Sequence, residues 1–363
     1  MSHDLLATDQ PSPKTVIGRA RTQSCGSMSR ALTLALGIVV VLGHGTARGE
    51  VPRPKEVAAD GEVKKPSPWR ASEIAYRNSV TAISLDRSAE LTYNPFWGMA
   101  LEISPRYWFD DTWSVAASLE VQRELTEADD TTRDNETQLG DLSLRFIARN
   151  LAKIPGIDAQ ITGILGFSFP TSLASQGQTM LFTVAPSMRL GWSFSEVLSG
   201  LAFGYTVRFT KLFYEYTTGE LESPVVPGCF AGSSGSCDRF LNTGVRNASY
   251  RLSNNFDASL FFTEELSMSA SFGFVVSWLY DDVDDERVNF QQLEPQDERY
   301  ALIADVGLTW VPAGPLAVTF GASTFNPQLA PDGSRYTPFF NRFTTLYLDL
   351  RVDVAALVSE LSD

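Results

Sequence analysis

Few residues in this chain are of a type that does chemistry. Its two histidines, His3 and His44, both fall within the first 49 residues, a segment read below as removed on export. Without an imidazole the remaining chain has no Ser–His or Cys–His nucleophile and no His metal site. Carboxylates are numerous enough to offer acid–base pairs, but no pair is singled out by its spacing. No catalytic residue, metal or cofactor is therefore expected, and no enzymatic activity. Cys229 and Cys237 flank the seven residues FAGSSGS. That flexible spacer lets two thiols meet in an oxidising compartment, so the pair reads as a disulfide that pins a loop tip. Acidic residues crowd two segments, Asp281, Asp282, Asp284, Asp285 and Glu286 in one, and Glu124, Glu127, Asp129, Asp130, Asp134 and Glu136 in the other. Either could bridge divalent cations. The run DDVDDE lacks the glycine and terminal glutamate of a calcium loop, so solvated loops are the better reading.

The elements that carry the remaining charges show best near the C-terminus, in Thr345–Val354 (TLYLDLRVDV). Leu346, Leu348, Leu350, Val352 and Val354 share one face of an extended strand, while Tyr347, Asp349, Arg351 and Asp353 share the other. Taken alone, such a strand belongs to a soluble sheet with its apolar side inward. The opposite assignment places the apolar side in lipid and the charges in a water-filled barrel interior. The same alternation recurs over 74–85, 98–108, 112–123, 138–149, 157–169, 179–193, 200–214, 248–262, 266–280, 300–311, 315–325 and 343–354. Many of these exceed the five or six residues usual in soluble strands and match the 9–11 needed to cross a bilayer at a tilt.

Three further features decide between the two assignments. Short connections (109–111, 150–156, 194–199, 263–265, 312–314) alternate with long ones (86–97, 124–137, 170–178, 215–247, 281–299, 326–342), a sorting that a soluble sandwich does not need. Trp97, Trp108, Trp113, Trp192, Trp278 and Trp310 all lie at or near strand ends, where two interfacial girdles would hold them. At the N-terminus, Ala31–Val41 (ALTLALGIVVV) follows Arg30 and precedes small residues at Ala47 and Gly49, the pattern of a secretory signal cleaved before Glu50, with Met28 as an alternative start. A short membrane anchor is the competing reading of that segment. Residues 50–73, rich in Pro and Lys, read as a flexible tether, and 355–363 as a tail.

Bulk properties agree. Of 363 residues 44% are hydrophobic and 20% charged, which excludes global disorder, and mean hydropathy is −0.07. Net charge is −14, falling to −17 once the five Lys/Arg and two Asp/Glu of residues 1–49 are removed. So acidic a chain is a poor partner for nucleic acid.

In alternation, loop rhythm and aromatic girdles the chain resembles bacterial outer-membrane β-barrel proteins of the porin type over about residues 74–354. It departs from many of them in running on past its last strand rather than ending on an aromatic residue. The resemblance implies an all-β fold, a closed antiparallel up-and-down transmembrane β-barrel of about twelve strands, with 215–247 long enough to hide a further hairpin. It also implies residence in the outer membrane, contact with outer-membrane lipid and lipopolysaccharide, insertion by the barrel assembly machinery, and passage of small hydrophilic solutes or ions. Interior positions are then Glu102, Arg106, Glu120, Asp141, Arg145, Arg149, Asp158, Arg189, Arg208, Arg251, Asp257, Asp305, Asp349, Arg351 and Asp353. Charges of both signs either line a channel or pair across the lumen and close it; in the second case the barrel would act through its long loops as a binding or structural protein. Leu348→Arg is expected to impair assembly and Asp349→Asn to change ion selectivity alone.

Overall fold

The computed structural model describes residues 66–82, 96–126, 135–156, 159–222, 240–281, 296–329 and 333–362. Its strands are β1 (Glu73–Thr81), β2 (Trp97–Ser104), β3 (Arg106–Trp108), β4 (Trp113–Glu124), β5 (Thr137–Leu139), β6 (Leu142–Ile154), β7 (Ala159–Phe169), β8 (Met180–Phe194), β9 (Gly200–Tyr214), β10 (Thr218–Glu222), β11 (Phe240–Arg246), β12 (Ala248–Phe261), β13 (Leu266–Leu279), β14 (Glu298–Ala313), β15 (Leu316–Pro327) and β16 (Thr345–Asp353). Two helices, α1 (Leu173–Gly177) and α2 (Val354–Ser362), follow β7 and β16.

These strands close into a twelve-strand antiparallel, up-and-down barrel. β2 and β3 are one stave broken at Pro105, which has no N–H to give to the ladder. β5 prolongs β6 along the edge of β4. The seam joins the first strand to the last, with Glu73 opposite Asp353, Arg77 opposite Asp349 and Thr81 opposite Thr345. Closure leaves no unpaired edge, which matters wherever no water is present to satisfy one. β10 and β11 form a separate hairpin inside the longest loop.

The barrel hides polar groups and exposes apolar ones. Leu101, Phe146, Leu165, Met188, Phe256, Leu308, Phe320 and Leu348, drawn from eight strands, are all exposed, Phe320 by 61%. Between them in sequence lie buried polar residues such as Ser114, Thr183, Thr206 and Asp349. A water-soluble sandwich requires the reverse, so this outer belt fits hydrocarbon. Trp97, Trp113 and Trp310 are each about half exposed at its rims.

Several elements differ from expectation. β6 continues to Ile154 through a bulge between Ala148 and Ala152, where Asn150 takes a left-handed φ of 53° and residues 149–151 oppose Thr162 alone; such a bulge bends and twists the strand locally. Trp108 does not join a girdle. It has the same strand parity as Arg106 and is only 3% exposed, with its backbone N–H bonded to Pro68 O at 2.7 Å and its indole N–H to Arg70 O at 3.0 Å. Residues 66–72, read as tether, thus fold back against the short-turn mouth, where Arg70 also pairs with Asp111 at 3.0 Å. The expected tail is helix α2, whose first turn is capped by Asp353 accepting from the Ala356 N–H at 2.9 Å.

Candidate functional site

The wall that surrounds the lumen is built from alternate residues of every stave, and register alone places them. On β16, Tyr347, Asp349 and Asp353 are buried while Leu348 and Leu350 are exposed. Asp349 accepts two hydrogen bonds from Arg77 of β1, Nε at 2.6 Å and Nη2 at 2.9 Å. This bidentate pair locks the barrel seam from inside. The Arg77 guanidinium also lies 4.9 Å from the centre of the Tyr347 ring. Along the same seam Arg351 approaches Glu73 at 3.3 Å.

Two interior contacts each step over a strand. Arg189 of β8 donates twice to Asp257 of β12, both at 2.6 Å, and once to Thr206 at 3.2 Å. The intervening strand, β9, carries Gly204 at that point, and a Cβ there would fall on the Arg189 guanidinium and 2.6 Å from Asp257 Oδ1. On the other side, Tyr347 of β16 donates to Asp305 of β14 at 3.0 Å. It crosses β15 at Gly321, where a Cβ would sit 2.5 Å from the ring. In both places a glycine lets a long side chain lie along the wall instead of pointing at the axis.

The other expected interior residues divide as follows. Glu102 and Glu120 are register partners on β2 and β4, and Glu102 accepts from Ser104 Oγ at 2.8 Å. Arg106 and Arg145 flank Ala116 from opposite sides. Arg149 stacks on Trp108 at 4.6 Å, joined there by Arg70 at 4.4 Å. Arg208 stands between Ser187 and Ser253, and Arg251 donates to Ser277 Oγ at 3.3 Å. Asp141 directly precedes β6 at the long-loop end, where it accepts from the Ser172 N–H at 3.0 Å and from Ser175 Oγ, holding α1. Its carboxylate oxygens accept from both donors. Asp158, Cys229, Cys237 and the acidic runs 127–134 and 282–286 lie outside the described residues.

Four further residues belong to this site and escaped the sequence reading. Arg77 sits on β1, whose alternation is blurred by Asn78 on the apolar side. Glu73 and Arg299 each lie one residue outside the strand bounds drawn from periodicity. Arg246, 3% exposed, binds Asp297 at 2.8 Å and Gln296 O at 2.7 Å, tying the long loop before β14 to the β10–β11 hairpin. Nothing in its local spacing announces that partner.

No family model matches the chain, and no curated protein matches it in sequence. Solved structures do show a likeness. One is an outer membrane channel from Pseudomonas putida F1, at 11% identity over 81% of this chain and 99% of that one, with a TM-score of 0.47. Another is the translocator domain of the autotransporter NalP from Neisseria meningitidis, at 10% identity over 80% and 89%, TM-score 0.36. A third is the outer membrane phospholipase from Salmonella typhi, at 10% identity over 82% and 95%, TM-score 0.32.

Proposed function

We propose that this protein is an outer-membrane channel through which small hydrophilic solutes or ions diffuse down their gradients. The observation that carries the reading is the way its interior charges are held. Arg189–Asp257 and Tyr347–Asp305 lie over Gly204 and Gly321, and Arg77–Asp349 lies along the seam. Side chains tied to neighbouring strands line a passage; they do not cross it. The apolar belt, the export signal and the closed sheet support residence in the outer membrane among lipid and lipopolysaccharide, with insertion by the barrel assembly machinery. Proteoliposomes containing the refolded chain should swell in small sugars faster than empty vesicles. Equal swelling rates with folded protein present would contradict the reading.

A second role has one specific observation in its favour. The longest loop is a built surface, in which Asn247 donates to Gln178 O at 2.9 Å and Tyr216 O at 3.0 Å beneath the β10–β11 hairpin. Removing residues 220–244 should leave swelling intact if the hairpin serves binding, and should change it if the hairpin shapes the passage.

A further inference from the structure

The lumen carries a second set of arginines, arranged along one row of register partners. From β3 the row reads Arg106, Ala116, Arg145, Gly166 and Ala185. The β8–β9 register, which pairs Val184 with Lys211 and Ser187 with Arg208, sets Ala185 opposite Thr210. From Thr210 the row continues through Arg251 and Ser277 to Arg299. Between the arginines stand only Ala, Gly, Ala, Thr and Ser, and the row holds no carboxylate.

The row also climbs. Arg106 lies just before the short turn at 109–112, whereas Arg299 is the second residue of β14, beside the long loop. Strands in a closed barrel tilt, so a row of partners perpendicular to them rises around the wall from one mouth to the other. With strands about 4.8 Å apart, Arg106 to Arg145 and Arg251 to Arg299 are steps of roughly 10 Å. The wider step from Arg145 to Arg251 is bridged by Arg208, two residues from Thr210 on β9, which lies within electrostatic range of both.

Positive charge at Arg145 and Arg251 is poorly offset. Arg145 lies in range of Arg106, and Arg251 in range of Arg299. Among the described residues neither Arg145 nor Arg251 has an ion pair, and the buried Arg145 Nε has no hydrogen-bond acceptor. Carboxylates in reach are Glu73 and Glu102, toward the short-turn end. Further round, Asp257, Asp349 and Asp305 are engaged by Arg189, Arg77 and Tyr347. Like charges left side by side in a wall are costly unless something anionic visits them.

We infer that the lumen selects anionic solutes, whose carboxylate or phosphate groups pass along a ramp of Arg106, Arg145, Arg208, Arg251 and Arg299 from one mouth to the other. This rests on the channel reading above and narrows its solute class. Planar-bilayer recording of the refolded full-length chain under a potassium chloride gradient tests it. The reversal potential should show anion preference, and that preference should fall at least about threefold in the double variant Arg145→Gln/Arg251→Gln. Arg145→Lys/Arg251→Lys should keep it, as should Arg123→Gln, whose arginine is exposed on the outward face of β4. Replacing chloride by phosphate or by gluconate separates the two anion chemistries: current carried by either one assigns the solute to that class. Gel mobility with and without heating checks that each variant is folded. Current with cation preference, or a preference untouched by the Gln variant, overturns the ramp and leaves the channel standing. Absence of current from folded protein overturns the channel, and the ramp with it.

Discussion

Two sets of arginines share one inner wall and are treated in opposite ways. Arg77 and Arg189 each meet a carboxylate with two hydrogen bonds and are fixed in place. Arg145 and Arg251 stand among Ala, Gly and Ser, with arginines and not carboxylates as their nearest company along the row. The first set does a structural job, joining strands across the seam or over a glycine. The second set is half-buried positive charge without a paired carboxylate, which under the proposed channel is charge left for a solute. Within one barrel, charge that holds the wall can thus be told from charge that serves the passage by asking what each guanidinium touches.

The comparison requires that both sets face water and that the alternate residues face lipid. Leu348, 41% exposed, is therefore the place of largest effect: Leu348→Arg should cost about 2–4 kcal/mol, measured by denaturant titration of the barrel refolded into vesicles. One residue on, Asp349→Asn removes the charge and one of the two oxygens that accept from Arg77, whose side chain is 24% exposed, and should cost about 1.5–3 kcal/mol. That outcome revises the expectation that Asn at 349 would alter selectivity alone, because the sequence did not reveal the Arg77 pairing. Gly321→Val should push Tyr347 off Asp305 and cost about 1–3 kcal/mol by overpacking, read in the same titration. Smallest of all, Arg145→Gln/Arg251→Gln should leave the barrel at least as stable, because it removes unpaired like charge, although it changes what permeates. If the two sets of arginines cost the same, the distinction between them fails.

Much of the fold was legible because a barrel strand writes its two environments into alternate residues. Gly200–Tyr214 emerged with both ends as read, and the sorted loops gave the order of the staves. Local alternation does not carry register, however. The Arg77–Asp349 contact joins residues 272 apart, and the ramp exists only once eight successive strand pairings are fixed. Trp108 shows a second limit. A tryptophan near a strand end satisfies a girdle pattern equally well from inside, and only its parity with Arg106 reveals that it closes around Arg70 and Arg149 at the mouth. Asp141 shows a third, since a carboxylate at a strand entrance is as ready to bind loop N–H groups as to face water.

The central claim, a water-filled lumen bounded by the odd-numbered residues of β15 and β16, is tested most directly by placing a thiol on each side of one strand. Thr319 lies between Thr309 and Asp349 on the inner face, and its neighbour Phe320 lies outside. With Cys25, Cys229 and Cys237 replaced by serine, single-channel current is recorded before and after addition of a charged, membrane-impermeant thiol reagent. The structure predicts a stepwise loss of current for Thr319→Cys and none for Phe320→Cys. Loss of current at Phe320→Cys, or no effect at Thr319→Cys, would contradict it.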